Sequence, residues 1–304
     1  MNVYLPIAEM SVNVFVILGL GGVTGILSGM FGVGGGFLIT PLLMFIGVPP
    51  AISVATAANQ IIASSVSGFL AHWRRDNVDF KMGGFLLGGG IVGSTLGVEL
   101  FRWLKQLGHI DLIISVSYVF FLGAVGLMMA NESLRTLLKI EKKHTHTHPV
   151  RMPLVARLPL KVHFPRSKLH ISAIMPVAIG CGVGVMVSLM GIGGGFFLVP
   201  AMIYILCMPT NVVIGTSLFQ IIFITANVTF LQAITTQTVD ILLAAFLLAS
   251  SVIGAQLGTR FGAKLPAEYL RAMLAALVLG VAVKLAFGLF TPPTEIYSVS
   301  AIDE

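Results

Sequence analysis

A chain of 304 residues that is 56% hydrophobic and 10% charged, with a mean hydropathy of +0.97, has too few charges to cover a soluble globule of its size. Apolar windows of about 20 residues, the length of a membrane-spanning helix, recur along it and exclude an outer-membrane barrel with its short alternating strands. The net charge of +6 does not indicate a nucleic-acid partner, because nine of the eighteen Lys and Arg lie at positions 135–168, where the positive-inside rule reads them as a cytoplasmic segment.

The N-terminus carries Glu9 and no Lys or Arg before the first apolar run, so it lacks the basic start of a signal peptide and its first helix is expected to stay. Residues 12–31 read as that helix, with Gly21, Gly25 and Gly29 making a flat face for close helix contact. Gly32-Val33-Gly34-Gly35-Gly36-Phe37 then interrupts it, at roughly 1 kcal/mol per glycine in a helix interior. Residues 37–46 are roughly 15 Å of helix, a half-helix that cannot cross a hydrocarbon core of roughly 30 Å. Residues 51–73 follow as a helix whose Thr56, Gln60, Ser64 and Ser67 share one polar face, an interior or water-lined side.

Residues 80–101 form a third segment, with Gly84, Gly88, Gly89, Gly93 and Gly97 as a packing face, and residues 110–130 a fourth. The stretch 131–170 turns basic and proline-containing, and separates a transmembrane repeat at 1–130 from a second at 171–304. Cys181 and Cys207 fall in apolar segments and read as small hydrophobes. The second half repeats the first: an offset of 159 places Gly32 on Gly191 and Pro41 on Pro200, an offset of 160 places Thr56 on Thr216 and Gln60 on Gln220, and an offset of 161 places Asp79 on Asp240. Such duplication is the build of secondary transporters. If each half crosses an odd number of times, fourteen basic residues lie inside and two outside; an even number gives twelve against four. The first count favours inverted repeats. The expected fold is all-α, a polytopic helical membrane protein of two homologous repeats with broken helices at the glycine motifs.

Irregular backbone survives in a membrane only when buried in protein or lining a wet cavity. After each glycine run a half-helix begins, and its unpaired first N–H groups carry partial positive charge. Gly32, Gly34, Gly35 and Gly36 with Gly191, Gly193, Gly194 and Gly195 are therefore expected to hold a small anion between two facing loops. Thr56, Gln60, Thr216 and Gln220 are expected to donate hydrogen bonds into the same cavity. The alternatives are that the glycines serve close packing and that the amides bond between helices. No carboxylate occurs at 51–73 or 211–232, so nothing resembles a midplane proton or sodium relay. An anion leaving a cell that is negative inside is already driven outward, by about 2.3 kcal/mol per charge per 100 mV. Lys284 lies within the last apolar run, where it either snorkels or contacts an anion. His144, His146 and His148 belong either to a solvated linker or to a divalent-metal site, which leaves a metal-cation transporter as the alternative function. No HExxH motif and no dinucleotide fingerprint in a βαβ unit are present, so neither an enzyme nor a cofactor is expected.

The paired GxGGGF…P motifs, the TxxxQ element after each, the GxxxG in the third segment of each half and the basic mid-chain stretch together resemble the TauE/SafE family of sulfite exporters. The resemblance covers residues 12–101 and 174–290. It implies an inner-membrane, multi-pass transporter of small sulfur-containing oxyanions such as sulfite, or of organosulfonates, with the lipid bilayer and an anionic substrate as its partners. The motif residues that carry over are Gly32 to Gly36 with Pro41, and Gly191 to Gly195 with Pro200. The stretch 131–170, with its His run, departs from the pattern.

Overall fold

A computed structural model of the chain describes residues 2–31, 36–137, 161–164, 166–167, 169–206, 208–262 and 267–290. Each half opens on a short antiparallel hairpin: β1 (Asn2–Leu5) pairs with β2 (Met10–Asn13), and β3 (Lys161–Phe164) with β4 (Leu169–Ser172). These strands correct the all-α expectation. Four residues are too few for a periodic signal, and an isolated hairpin is at best marginally stable. Docking supplies the rest, since Leu5 and Phe164 are fully buried while Tyr4 and His163 face outward.

The first half continues as α1 (Val14–Phe31), α2 (Gly36–Phe45), α3 (Pro50–Trp73), α4 (Phe80–Gln106) and α5 (Ile110–Leu137). The second half holds α6 (Ile174–Met190), α7 (Gly195–Pro200), α8 (Thr210–Thr235), α9 (Ile241–Gly262) and α10 (Ala267–Phe290). Helix α5 runs past Ala130 to Leu137, and the second hairpin straddles position 170, so both ends of the expected linker carry regular structure. Pro200 has no N–H to continue the helical ladder. The chain after it forms a π-helical turn, Ala201–Ile205, closed by Leu206 N donating to Ala201 O at 3.2 Å. Among the described residues, four stretches are long and apolar enough to cross a membrane: Phe80–Gln106, Ile110–Asn131, Val212–Thr235 and Ile241–Gly258. The protein is a helical membrane protein.

The halves interlock rather than sit side by side. Helix α1 packs along α9 and α4 along α6, while α3 lies against α8 and α5 against α10. Glycine makes the first two contacts possible. A Cβ at Gly25 would run into the backbone of Ser251, and one at Gly258 into that of Ile26; Gly93 stands likewise against Cys181, and Gly184 against Gly90. The expected glycine face of α4 is narrower than the sequence implied. Gly89, Gly93 and Gly97 meet α6, but Gly84 and Gly88 face open space, because their four-residue ladder points away from the helix pair.

Candidate functional site

The second glycine motif forms the loop between α6 and α7. Gly191, Gly193 and Gly194 have φ of +63°, +77° and +72°, backbone that side chains with a Cβ rarely adopt. Space excludes a Cβ as well, since one at Gly191 would lie 2.6 Å from the Val54 carbonyl oxygen and one at Gly193 2.6 Å from Ile61 Cγ2. Gly191 N closes α6 by donating to Val187 O at 2.8 Å, and Gly194 O receives Leu198 N at 2.7 Å to start α7. Among the described residues, the N–H groups of Ile192, Gly193 and Gly194 have no backbone acceptor.

Of the first motif, Gly32, Gly34 and Gly35 lie outside the described residues. Gly36 begins α2, and a Cβ on it would be 3.1 Å from the Ile192 carbonyl oxygen. The two motif phenylalanines, Phe37 and Phe196, stack with ring centroids 5.0 Å apart and planes 16° from parallel. The described parts of the two motifs thus meet at one crossing. Every side chain named there is uncharged, and Ile61 of α3 touches the positions of both Gly36 and Gly193. Pro41 and Pro200 lie inside the half-helices; without an N–H they cannot donate to the carbonyls of Phe37 and Phe196 in the ladder.

Two hydroxyls reach this crossing that the sequence reading did not single out. Tyr118 of α5, fully buried, donates to the Met190 carbonyl oxygen immediately before Gly191. Thr40 of α2, also fully buried, stands beside the Tyr118 phenol and interacts with it through its side chain. A lone Tyr inside an otherwise apolar span was the available signal, because a buried phenol needs a partner.

The remaining predicted side chains hydrogen-bond to helix starts and between helices. Thr56 Oγ1 accepts Asp240 N at 3.1 Å, and Thr216 Oγ1 accepts Asp79 N at 3.0 Å, so each threonine of one half anchors a helix start of the other. Both aspartates are buried caps: Asp79 Oδ1 receives Met82 N and Asp240 Oδ1 receives Leu243 N, each at 3.0 Å. Their second oxygens hold the hairpin turns, Asp79 Oδ2 receiving Ser167 N at 3.0 Å and Asp240 Oδ2 receiving Ile7 N at 3.1 Å. Gln60 Nε2 donates to Thr24 Oγ1 of α1 at 3.0 Å, and Gln220 Nε2 to Leu86 O of α4 at 3.3 Å. The two amides therefore turn toward different helices, and each leaves a buried Oε1 without a partner.

A cavity of about 470 Å³ opens at the end of the bundle that carries the first hairpin, lined among others by Ile7, Glu9, Pro49, Lys105, Asp111 and Thr238. Lys284 Nζ stands 4.2 Å from the centroid of the Phe45 ring, a cation–π contact. The His144, His146 and His148 run lies outside the described residues.

Residues 17–285 match the family described as sulfite exporter TauE/SafE. The chain is 28% identical over 281 residues to "Probable membrane transporter protein YjnA" of Bacillus subtilis, covering 91% of this chain and 100% of the relative. It is 30% identical over 217 residues to a "Probable membrane transporter protein" of Xylella fastidiosa, covering 69% and 70%. It is also 30% identical over 107 residues to "Sulfite exporter TauE/SafE family protein 3" of Arabidopsis thaliana, covering 34% and 22%. No solved structure matches it. With a family match across nearly the whole helical bundle and both glycine motifs inside the matched span, the chain belongs to the sulfite exporter TauE/SafE family of membrane transporters.

Proposed function

We propose that this protein carries small sulfur-containing oxyanions, sulfite or organosulfonates, outward across the inner membrane and binds them where the two glycine motifs meet. The observation that carries this reading is the Phe37–Phe196 stack at 5.0 Å beside a loop opened by three left-handed glycines. Backbone N–H donors with no backbone acceptor among the described residues, in a crossing whose named side chains are uncharged, stabilise an anion without trapping it as a buried Arg or Lys would. The substrate contacts are the backbones of the two glycine runs. In this reading Thr56 and Thr216 serve as joints, and Gln60 and Gln220 as interhelical bonds.

The halves are read as inverted repeats. Matching α1 through α5 to α6 through α10 turns each contact between halves into its counterpart, and the two Thr–Asp joints exchange in the same way. The cavity end is assigned to the outside. Arg74, Arg75 and Lys81 stand at the end that carries Asp79 and the second hairpin, which is assigned to the cytoplasm. Outward movement of an anion then follows the membrane potential with no coupling ion. Purified protein in liposomes loaded with sulfite, thiosulfate or an organosulfonate should release at least one of them faster than protein-free liposomes. A panel blank for all three overturns the proposal.

A further inference from the structure

The two hairpins are docked unequally. The turn of the second is tied to the loop between α3 and α4 through side chains: Arg166 donates to the Asp76 carbonyl oxygen at 2.6 Å and to Asp76 Oδ1 at 2.9 Å. Ser167 Oγ adds a bond to Asp79 Oδ2 at 2.6 Å, and Lys81 Nζ donates to the His163 carbonyl oxygen at 2.9 Å. The first hairpin lacks the side chains for all three. An offset of 159 puts Ile7 opposite Arg166 and Ala8 opposite Ser167, and an offset of 161 puts Gln237 opposite Asp76 and Leu242 opposite Lys81. The backbone is nonetheless alike, with left-handed φ of +57° at Asp76 and +49° at Gln237. Side-chain chemistry rather than loop shape therefore separates the two ends.

Where those ties are missing, the cavity of about 470 Å³ opens, with Ile7 and Gln237 in its lining. The tied end is the one assigned to the cytoplasm, from which an exported anion must enter. The tie across it is one that a solute can exchange. The side chains of Arg166 and Asp76 are 48% and 79% exposed, so the pair is screened and weak, and solutes reach it directly. A guanidinium presents a planar fork of donors, which takes the oxygens of a carboxylate or of a sulfur oxyanion in the same way. Arg74 and Arg75, exposed on the same loop, add positive potential that gathers anions there.

We propose that Arg166 is the residue that first meets the substrate on the cytoplasmic side, and that the incoming oxyanion takes the place of the Asp76 carboxylate on its guanidinium and so unlatches the second hairpin. The exchange leaves that hairpin held to the α3–α4 loop by Asp79 alone, as the first hairpin is held by Asp240 beside the open cavity. The inference rests on the anion-transport reading and its sidedness, and adds the entry site and the gate above it.

The test is the half-saturating concentration for efflux from proteoliposomes of sulfite, or of whichever anion of the panel wild type releases, with the thermal midpoint measured on the same preparations. Arg166→Gln removes the anion's partner and leaves the Asp76 charge facing it, so half-saturation is expected to rise about two- to five-fold, the scale of an exposed ion contact. Asp76→Asn removes the competitor, so half-saturation is expected to fall by a similar factor. A pair that only fastens the hairpin loses the same bond in both variants. Half-saturation that moves the same way in both, or in neither, overturns the inference, as does a midpoint well below wild type in either. In a background with Cys181 and Cys207 replaced, Asp76→Cys with Arg166→Cys joined by a short bis-maleimide is expected to stop efflux that the same protein capped with a monofunctional maleimide retains. Equal efflux from bridged and capped protein overturns the gate. All these outcomes leave the anion reading standing, whereas wild-type liposomes that release none of the three anions overturn both.

Discussion

Asp79 and Asp240 each spend one carboxylate oxygen on a helix cap and the other on a hairpin turn, with a threonine of the opposite half completing the joint. Burial makes these bonds expensive to lose. Asp240→Ala should destabilise the protein by about 2–4 kcal/mol, since a cap contributes about 1 and a bond to a charged acceptor about 1.5–3. Thermal unfolding in detergent reads this as a lowered midpoint, and a midpoint within error of wild type contradicts the joint. Thr56→Val leaves the Asp240 N–H without an acceptor and should cost about 1–3 kcal/mol, whereas Thr56→Ser costs little. The two threonine joints share no partner, so Thr56→Val and Thr216→Val should add in the double variant. The repeat offset revealed Asp79 and Asp240 as equivalent positions, yet their partners are far away in sequence. Ile7 and Ser167 lie 233 and 88 positions from the aspartates they bond, and no local pattern encodes such a pairing.

Helices were the most legible elements. Residues 12–31, 37–46 and 51–73 correspond to α1, α2 and α3 to within two residues at each end, because long apolar runs and glycine or proline breaks are strong local signals. The hairpins were not legible, since their stability comes from the bundle on which Leu5 and Phe164 are buried. The glycines divide by environment rather than by spacing. Gly93→Ala should sharply lower the thermal midpoint, since its Cβ meets the Cys181 carbonyl. Gly84→Ala should be neutral or stabilising by up to about 1 kcal/mol, because it meets nothing and gains helix propensity. Equal effects would remove the distinction between the two faces of α4.

At the scale of the whole molecule, the account predicts a sidedness. In a background with Cys181 and Cys207 replaced, His109→Cys in the first half and Gln237→Cys in the second should both react with a membrane-impermeant maleimide from outside intact cells. Arg75→Cys should react only after permeabilisation. All three positions are exposed. Labelling of His109→Cys and Gln237→Cys from opposite faces contradicts inverted repeats. The candidate site was half legible in the sequence. The doubled GxGGGF motif marked the crossing, whereas Ile61, Thr40 and Tyr118 come to it through packing that spacing does not display. The central claim is that the anion passes the glycine crossing, and sulfite efflux from proteoliposomes of Gly193→Leu and Gly84→Leu tests it most directly. The account predicts that Gly193→Leu, inserted in the membrane, is silent while Gly84→Leu, changed at a glycine that faces open space, releases sulfite like wild type. Equal efflux from the two variants would contradict it.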